Sequence, residues 1–125
     1  MIFDGTKPVA VLDWEMVCTG SPEKDVGWAI FLDKHHSEGL GVPRLEGFPS
    51  YEDTLAWYAE RSGHRVRHAH YYQVYAGYRF GIIMLRLAQQ FVHYKMMDET
   101  AGRNFERDNT VTRLTAKLLD MPPPG

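Results

Sequence analysis

The chain has 125 residues, a formal net charge of −2, 44 % hydrophobic residues and 24 % charged residues. That size allows one small domain, or one part of a larger one, with roughly two-thirds of the unfolded surface buried around a single core. The balanced charge, with Lys and Arg scattered among acids, excludes the electrostatic footprint of a nucleic-acid binder.

Ile2-Phe3 reads as a short strand and Asp4-Gly5-Thr6 as the tight turn after it. Asp-Gly is a strong hairpin signal because both turn positions need positive φ. Pro8 opens a second strand, where a missing N–H is tolerated. The apolar run Val9-Ala10-Val11-Leu12 carries that strand to about Trp14. The start of the chain cuts the first strand short. Cys18 to Pro22 is a loop. A helix is predicted from Pro22 to Asp25 onward, to about His35. Pro22 suits a first turn, and Glu23 and Asp25 favour the positive end of the helix dipole. Val26, Ala29, Ile30 and Asp33 share a face.

Ser37 to Pro49, rich in Gly and Pro, is predicted as a connecting loop. Ser50 is a good N-cap with Asp53 at the capping-box position. The helix it opens runs through Leu55, Trp57 and Tyr58 to Gly63, a C′ residue. The longest helix is predicted from Ala69 to about Met97. Tyr71, Val74, Tyr75, Tyr78, Ile82 and Leu85 form its apolar stripe, continued by Ala88, Phe91, Val92 and Lys95. That spacing assigns the stripe to the core. Gly77 and Gly81, four apart, allow another helix to approach closely, at about 1 kcal/mol each in helix propensity. Asp98 to Arg107 is polar and is predicted as a loop. A final amphipathic helix, with Val111, Leu114, Leu118 and Leu119 inward, ends before Pro122-Pro123-Pro124. The expected order is one hairpin, then four helices. A two-stranded hairpin is marginally stable alone, so it belongs to a larger sheet or beneath another lobe.

Cys18 is the only cysteine, which rules out an internal disulfide or a cysteine-based zinc site. A reducing, cytoplasmic setting is expected, since no basic segment followed by an apolar one marks a leader. The longest apolar stretch, Phe80 to Leu85, is bounded by Arg79 and Arg86 and is far too short for a membrane span. His64, His68 and His70 form no zinc motif, and His35-His36 suit a helix end.

The chemistry-bearing stretch is Val9-Ala10-Val11-Leu12-Asp13-Trp14-Glu15. An apolar strand ends in two carboxylates two residues apart, which point the same way on an extended backbone. Hard oxygen ligands at a strand end can hold magnesium against a phosphate. On spacing alone the plainer alternative weighs more, because many strands end in solvent-facing acids. A second segment shifts that weighting: Gly20-Ser21-Pro22-Glu23-Lys24-Asp25-Val26-Gly27-Trp28.

Together the two segments resemble the aminoglycoside phosphotransferase-like branch of the protein-kinase-like fold. There a hydrophobic strand ends in Asp, a Gly-Asp-Pro turn follows, and Asp-Leu-Gly or Asp-Leu-Ala opens a helix. The resemblance is closest to the phosphotransferase domain fused to some acyl-CoA dehydrogenases, and it covers essentially the whole chain. It implies that residues 1–125 are the helical C-terminal subdomain of such an α+β fold. Residues 1–16 would be the hairpin carrying the metal-site Asp, 17–121 the helical region and 122–125 a tail. It implies transfer of the γ-phosphoryl group of ATP or GTP, with Mg2+, to a hydroxyl of a small molecule. Asp13 then matches the magnesium-binding aspartate, and Glu15 adds a weaker carboxylate near the metal. Asp25 matches the aspartate that braces the catalytic loop by accepting backbone hydrogen bonds. Because this helical region helps shape the family's acceptor pocket, Tyr72, Arg79 and Arg86 are its substrate-contact candidates. Helix packing and surface charge are the simpler account of those three.

Two departures stand out. Ser21 replaces the Asp of the Gly-Asp-Pro turn. The catalytic loop, His-x-Asp with Asn further on, would lie just before residue 1 and is not among these residues, nor is the nucleotide-binding lobe with its phosphate loop. The expectation is therefore a phosphotransferase fragment, inactive as this isolated chain. The alternative is a non-catalytic helical module that serves as a homodimer or partner interface.

Overall fold

The computed structural model describes residues 1–125, with the side chain of Met16 outside the described set. The chain is mainly helical, with a small antiparallel hairpin at its N-terminus. The hairpin pairs β1 (Ile2–Asp4) with β2 (Lys7–Ala10). A 3₁₀ turn (Trp14–Met16) follows. Then come α1 (Glu23–Lys34), a π turn (His35–Gly39), α2 (Tyr51–Ser62), α3 (Ala69–His93), α4 (Glu99–Arg107) and α5 (Thr110–Leu118). No helix among the described residues is long and apolar enough to cross a membrane.

Three helix starts carry a local side-chain cap. Ser50 accepts a bond from the Asp53 N–H at 3.0 Å, and the Asp53 carboxylate accepts from the Ser50 N–H at 3.3 Å, closing the expected capping box. Gly63 ends α2 in the left-handed region at φ 69°. Asn109 caps α5 by accepting from the N–H groups of Val111 and Thr112, both at 3.0 Å. Asp98 caps α4 by accepting from the Ala101 N–H at 2.8 Å. That helix replaces the loop expected over Asp98 to Arg107. The segment is too polar overall to read as buried, yet it packs on α3: Gly102 is buried against Val92, and Phe105 lies 6.2 Å from Phe91 between ring centres.

α3 is the central element, packed on α1, α4 and α5. The core is Phe31, Ala76, Val111 and Leu114, covered by Trp28, Phe80, Met84 and Leu118. Two glycines set the helix approaches. A Cβ on Gly27 of α1 would lie 2.5 Å from the Tyr72 Cβ and 2.6 Å from the Tyr72 carbonyl carbon. A Cβ on Gly77 of α3 would collide with the Thr115 hydroxyl of α5 and lie 2.9 Å from the Phe31 ring.

Several expectations change. β2 stops at Ala10, not Trp14, and Asp13 is not extended. Only Gly5 of the hairpin turn takes positive φ, at 58°, because the two turn residues are Gly5 and Thr6. α3 stops at His93, where Lys95 turns left-handed at φ 57°. The largest correction concerns its stripe. Tyr71, Tyr75, Tyr78, Ile82 and Leu85 are exposed, while Gln73, Ala76, Gly77 and Ala88 are buried. At Ala76 and Gly77, α1 and α5 approach too closely for large side chains. Ala29 and Leu119, expected inward, are also exposed.

His35 joins the π turn to α5. Its Nε2 shares a hydrogen bond of 2.8 Å with the Thr110 hydroxyl, and its Nδ1 is buried without a partner. Burial pushes its pKa below the ordinary 6.5, and nearby His36 adds to the effect.

Gly27→Ala is expected to destabilise the fold by about 1–3 kcal/mol, since the contacting atoms include backbone that cannot swing aside. Gly81→Ala, where a Cβ meets nothing within 4 Å, is expected to stabilise by about 1 kcal/mol through helix propensity. Urea unfolding of both variants checks the contrast. The unfolded chain takes up a proton at His35 more readily than the folded one. Stability from this site is therefore complete above pH 6.5 and falls as pH drops through the lowered native value. Urea midpoints measured from pH 7.5 down to 5 are expected to show that slope, and His35→Leu to flatten it.

Candidate metal and substrate residues

Val9 of β2, and Val11 and Leu12 after it, lead to Asp13 and are all exposed. Asp13 turns left-handed, at φ 70° and ψ 56°, and so ends the extended run. The left-handed region is uncommon outside glycine, though Asp tolerates it better than most residues. The chain then winds into the Trp14–Met16 turn. The Trp14 indole N–H donates to the Val11 carbonyl at 2.7 Å, and the Val17 N–H donates to the Trp14 carbonyl at 3.0 Å. Those two bonds pin the turn around Asp13. Asp13 and Glu15 are both exposed, and among the described residues neither carboxylate is ion-paired. No group of three or more His, Cys, Asp or Glu side chains converges among the described residues.

The turn into α1 follows. Lys24 reaches back to Cys18, with Nζ donating to Sγ at 3.1 Å, and this contact raises the lysine pKa. Ser21 occupies the variant position of the turn. Its hydroxyl accepts from the Glu23 N–H at 3.3 Å, so serine still caps the corner.

Asp25 lies in the first turn of α1 and is exposed, and no hydrogen bond is found at its carboxylate among the described residues. A different carboxylate, Glu23, two residues earlier and buried, braces a segment within this chain. It accepts from the backbone N–H groups of His68 at 2.7 Å and Arg67 at 3.2 Å. His64 Nε2 stands 3.5 Å from its other oxygen. Burial by itself raises the Glu23 pKa, but the bonds from His68 and Arg67, with His64 behind them, outweigh it and hold the carboxyl below its ordinary value. Glu23 thereby ties the start of α1 to the segment that launches α3. In the sequence it signalled only a favourable helix dipole. Its partners lie more than forty residues away, and no local pattern carries them.

Tyr72, Arg79 and Arg86 lie on α3. Tyr72 is half-buried, its backbone against Gly27 and its ring 5.0 Å from that of Tyr71. Arg79 lies over the Trp28 ring at 5.2 Å and near the Tyr75 ring at 5.9 Å. Arg86 is exposed. The three recur every seven residues along one side of the helix. Among the described residues, no hydrogen bond or ion pair joins residues 1–17 to any of them.

Glu23→Ala is expected to cost about 1–3 kcal/mol at pH 7, because two amide N–H groups lose their acceptor. The lowered carboxyl pKa means the unfolded chain binds the proton first, so this contribution is present above pH 4.5 and lost as pH falls through the native value. The gap in urea midpoint between wild type and variant is expected to shrink accordingly in acid. No known protein family and no solved structure matches this chain.

Proposed function

We propose that these residues form the metal-holding and helical part of an aminoglycoside phosphotransferase-like enzyme that phosphorylates a hydroxyl of a small molecule. The observation that supports this reading most is the backbone of Asp13. A carboxylate at the end of an apolar run sits in a sparsely populated left-handed conformation, within a turn locked by the Trp14 indole. Unusual backbone of this kind concentrates at functional sites, where surrounding structure holds it in place.

The donor set suits magnesium. Mg2+ takes one or two carboxylates and completes its octahedron with water and phosphate oxygens, so it needs no closed cage of protein ligands. Asp13 would bind the ion directly, and Glu15, in the same turn, would stand as the second oxygen donor. When bound, the ion supplies positive charge beside the nucleotide phosphates and offsets the charge on the transferred phosphoryl group. The rest of the work by this chain is positional. The Val11–Trp14 bond keeps Asp13 from relaxing into an extended strand. Glu23 fixes the α1 corner that follows, and Asp25, exposed in the same turn, would brace the catalytic loop. Tyr72 belongs to the packing of α1 on α3. Arg86, exposed, and Arg79, stacked on Trp28 but without a carboxylate partner among the described residues, would face an anionic group.

Nothing among the 125 residues supplies the His-x-Asp base or a nucleotide clamp. The isolated chain is therefore expected to show no metal-dependent ATP or GTP consumption in a coupled assay. In a polypeptide that carries these residues behind a catalytic loop and nucleotide lobe, Asp13→Ala is expected to lower kcat by about 100-fold or more. Glu15→Ala is expected to have a smaller effect. Turnover by the isolated chain, or near-normal kcat in the Asp13 variant, overturns the reading.

A further inference from the structure

The accessible surface of the chain is 9470 Å2. A compact monomer of 14.4 kDa is expected to expose about 6,800 Å2. The surplus, about 2,600 Å2, exceeds the roughly 800 Å2 that each partner contributes to a standard interface. Part of it has a defined pattern. Tyr71, Tyr75, Tyr78, Ile82 and Leu85 are spaced four, three, four and three residues apart on α3, and all five are exposed, Tyr78 at 63 % and Ile82 at 48 %. This is the alternation of a coiled-coil seam, and it faces away from the core. It spans four turns, about 21 Å.

Beside the seam an open groove of about 520 Å3 runs between α3 and α5. Leu119, Met121 and Pro122 form its far wall, and its floor contains Gly81, over which a side chain of a neighbour has free space. The shape suits an inserted helix, whose i, i+3, i+4 and i+7 side chains anchor it.

Charge identifies the occupant. Arg79 and Arg86 directly follow the seam residues Tyr78 and Leu85 and flank it on one side. Arg107 stands at the groove wall. Arg44, Arg103, Arg113 and Lys117 each have a carboxylate partner; among the described residues no ion pair is found at Arg79, Arg86 or Arg107, and Arg79 is held beside the seam by the Trp28 and Tyr75 rings. A second copy of α3 laid antiparallel with the two seams centred on Tyr78 would bring Arg79 beside Arg79 of its twin, a like-charge pairing that disfavours self-association. We propose that the α3 groove receives an acidic amphipathic helix from a different protein. Apolar side chains on the incoming helix would fill the seam, and its carboxylates would meet Arg79 and Arg86. This inference does not depend on the phosphotransferase reading.

The test uses the full chain and two fluorescent 21-residue peptides with leucine at both seam positions of each heptad. One carries glutamate at the flanking positions and the other lysine. At nanomolar concentration the like charges keep each peptide monomeric. Anisotropy titration is expected to show the glutamate peptide binding at least tenfold more tightly than the lysine peptide. The double variant Arg79→Glu, Arg86→Glu is expected to reverse that preference. Ile82→Asp is expected to weaken the glutamate peptide at least tenfold, with helix content by circular dichroism unchanged. Equal binding of both peptides, or binding of neither, overturns the proposal. So does sedimentation showing a dimer of this chain that Ile82→Asp dissociates.

Discussion

The approach of α3 to α1 and α5 is the constraint on which the rest of the fold depends. Gly27 and Gly77 remove the side chains that would hold these helices apart, and Phe31 fills the space where all three meet. Close packing puts Ala76 and Gly77 at the tightest contacts of α3, with Gln73, Phe80 and Met84 beside them, while Tyr71, Tyr75, Tyr78, Ile82 and Leu85 turn outward. The buried faces of α1 and α5 supply the bulk in exchange, through Phe31, Val111 and Leu114. The exposed stripe of α3 is therefore a direct consequence of how tightly its opposite side is packed.

That consequence explains where the sequence was legible and where it misled. Caps and stops are local, so Ser50 with Asp53 and the terminal Gly63 marked α2 correctly. Helix existence was legible for α1, α2, α3 and α5. The facing of α3 was not, because periodicity locates an apolar stripe without telling whether it meets the core or an outside partner. A helix whose most buried positions are Gln73, Ala76, Gly77 and Ala88 hides its core side from a hydropathy pattern. α4 was missed because Glu99, Arg103, Glu106 and Arg107 dominate its composition, while the packing groups are only Ala101, Gly102 and Phe105. The Asp98 cap was the signal that could have located it.

The candidate site shows the same division. Asp13 was legible as the carboxylate that terminates an apolar run, but its left-handed turn and the indole bond that locks it were not. Asp25 and Glu23 are two residues apart and differ in surroundings. Both acids suit a helix start, and only the return of the Arg67–His68 segment determines which is buried. Long-range partners of this kind leave no trace in spacing. Tyr72 and Arg79 have the packing roles that their composition favoured, whereas Arg86 stands exposed on the same side of the helix.

α2 contains no buried residue, although Ser50 and Asp53 cap it firmly and Arg44 fastens its start. Arg44 pairs with Asp33 at 2.7 Å, donates to the Pro49 carbonyl at 2.6 Å and stacks over Tyr51 at 4.8 Å. The helix is thus held by its entrance rather than by a face. With only a half-buried face at Tyr51, Thr54, Leu55, Tyr58 and Ala59, its amide hydrogens are expected to exchange through local opening at lower cost than those of α1, α3 and α5.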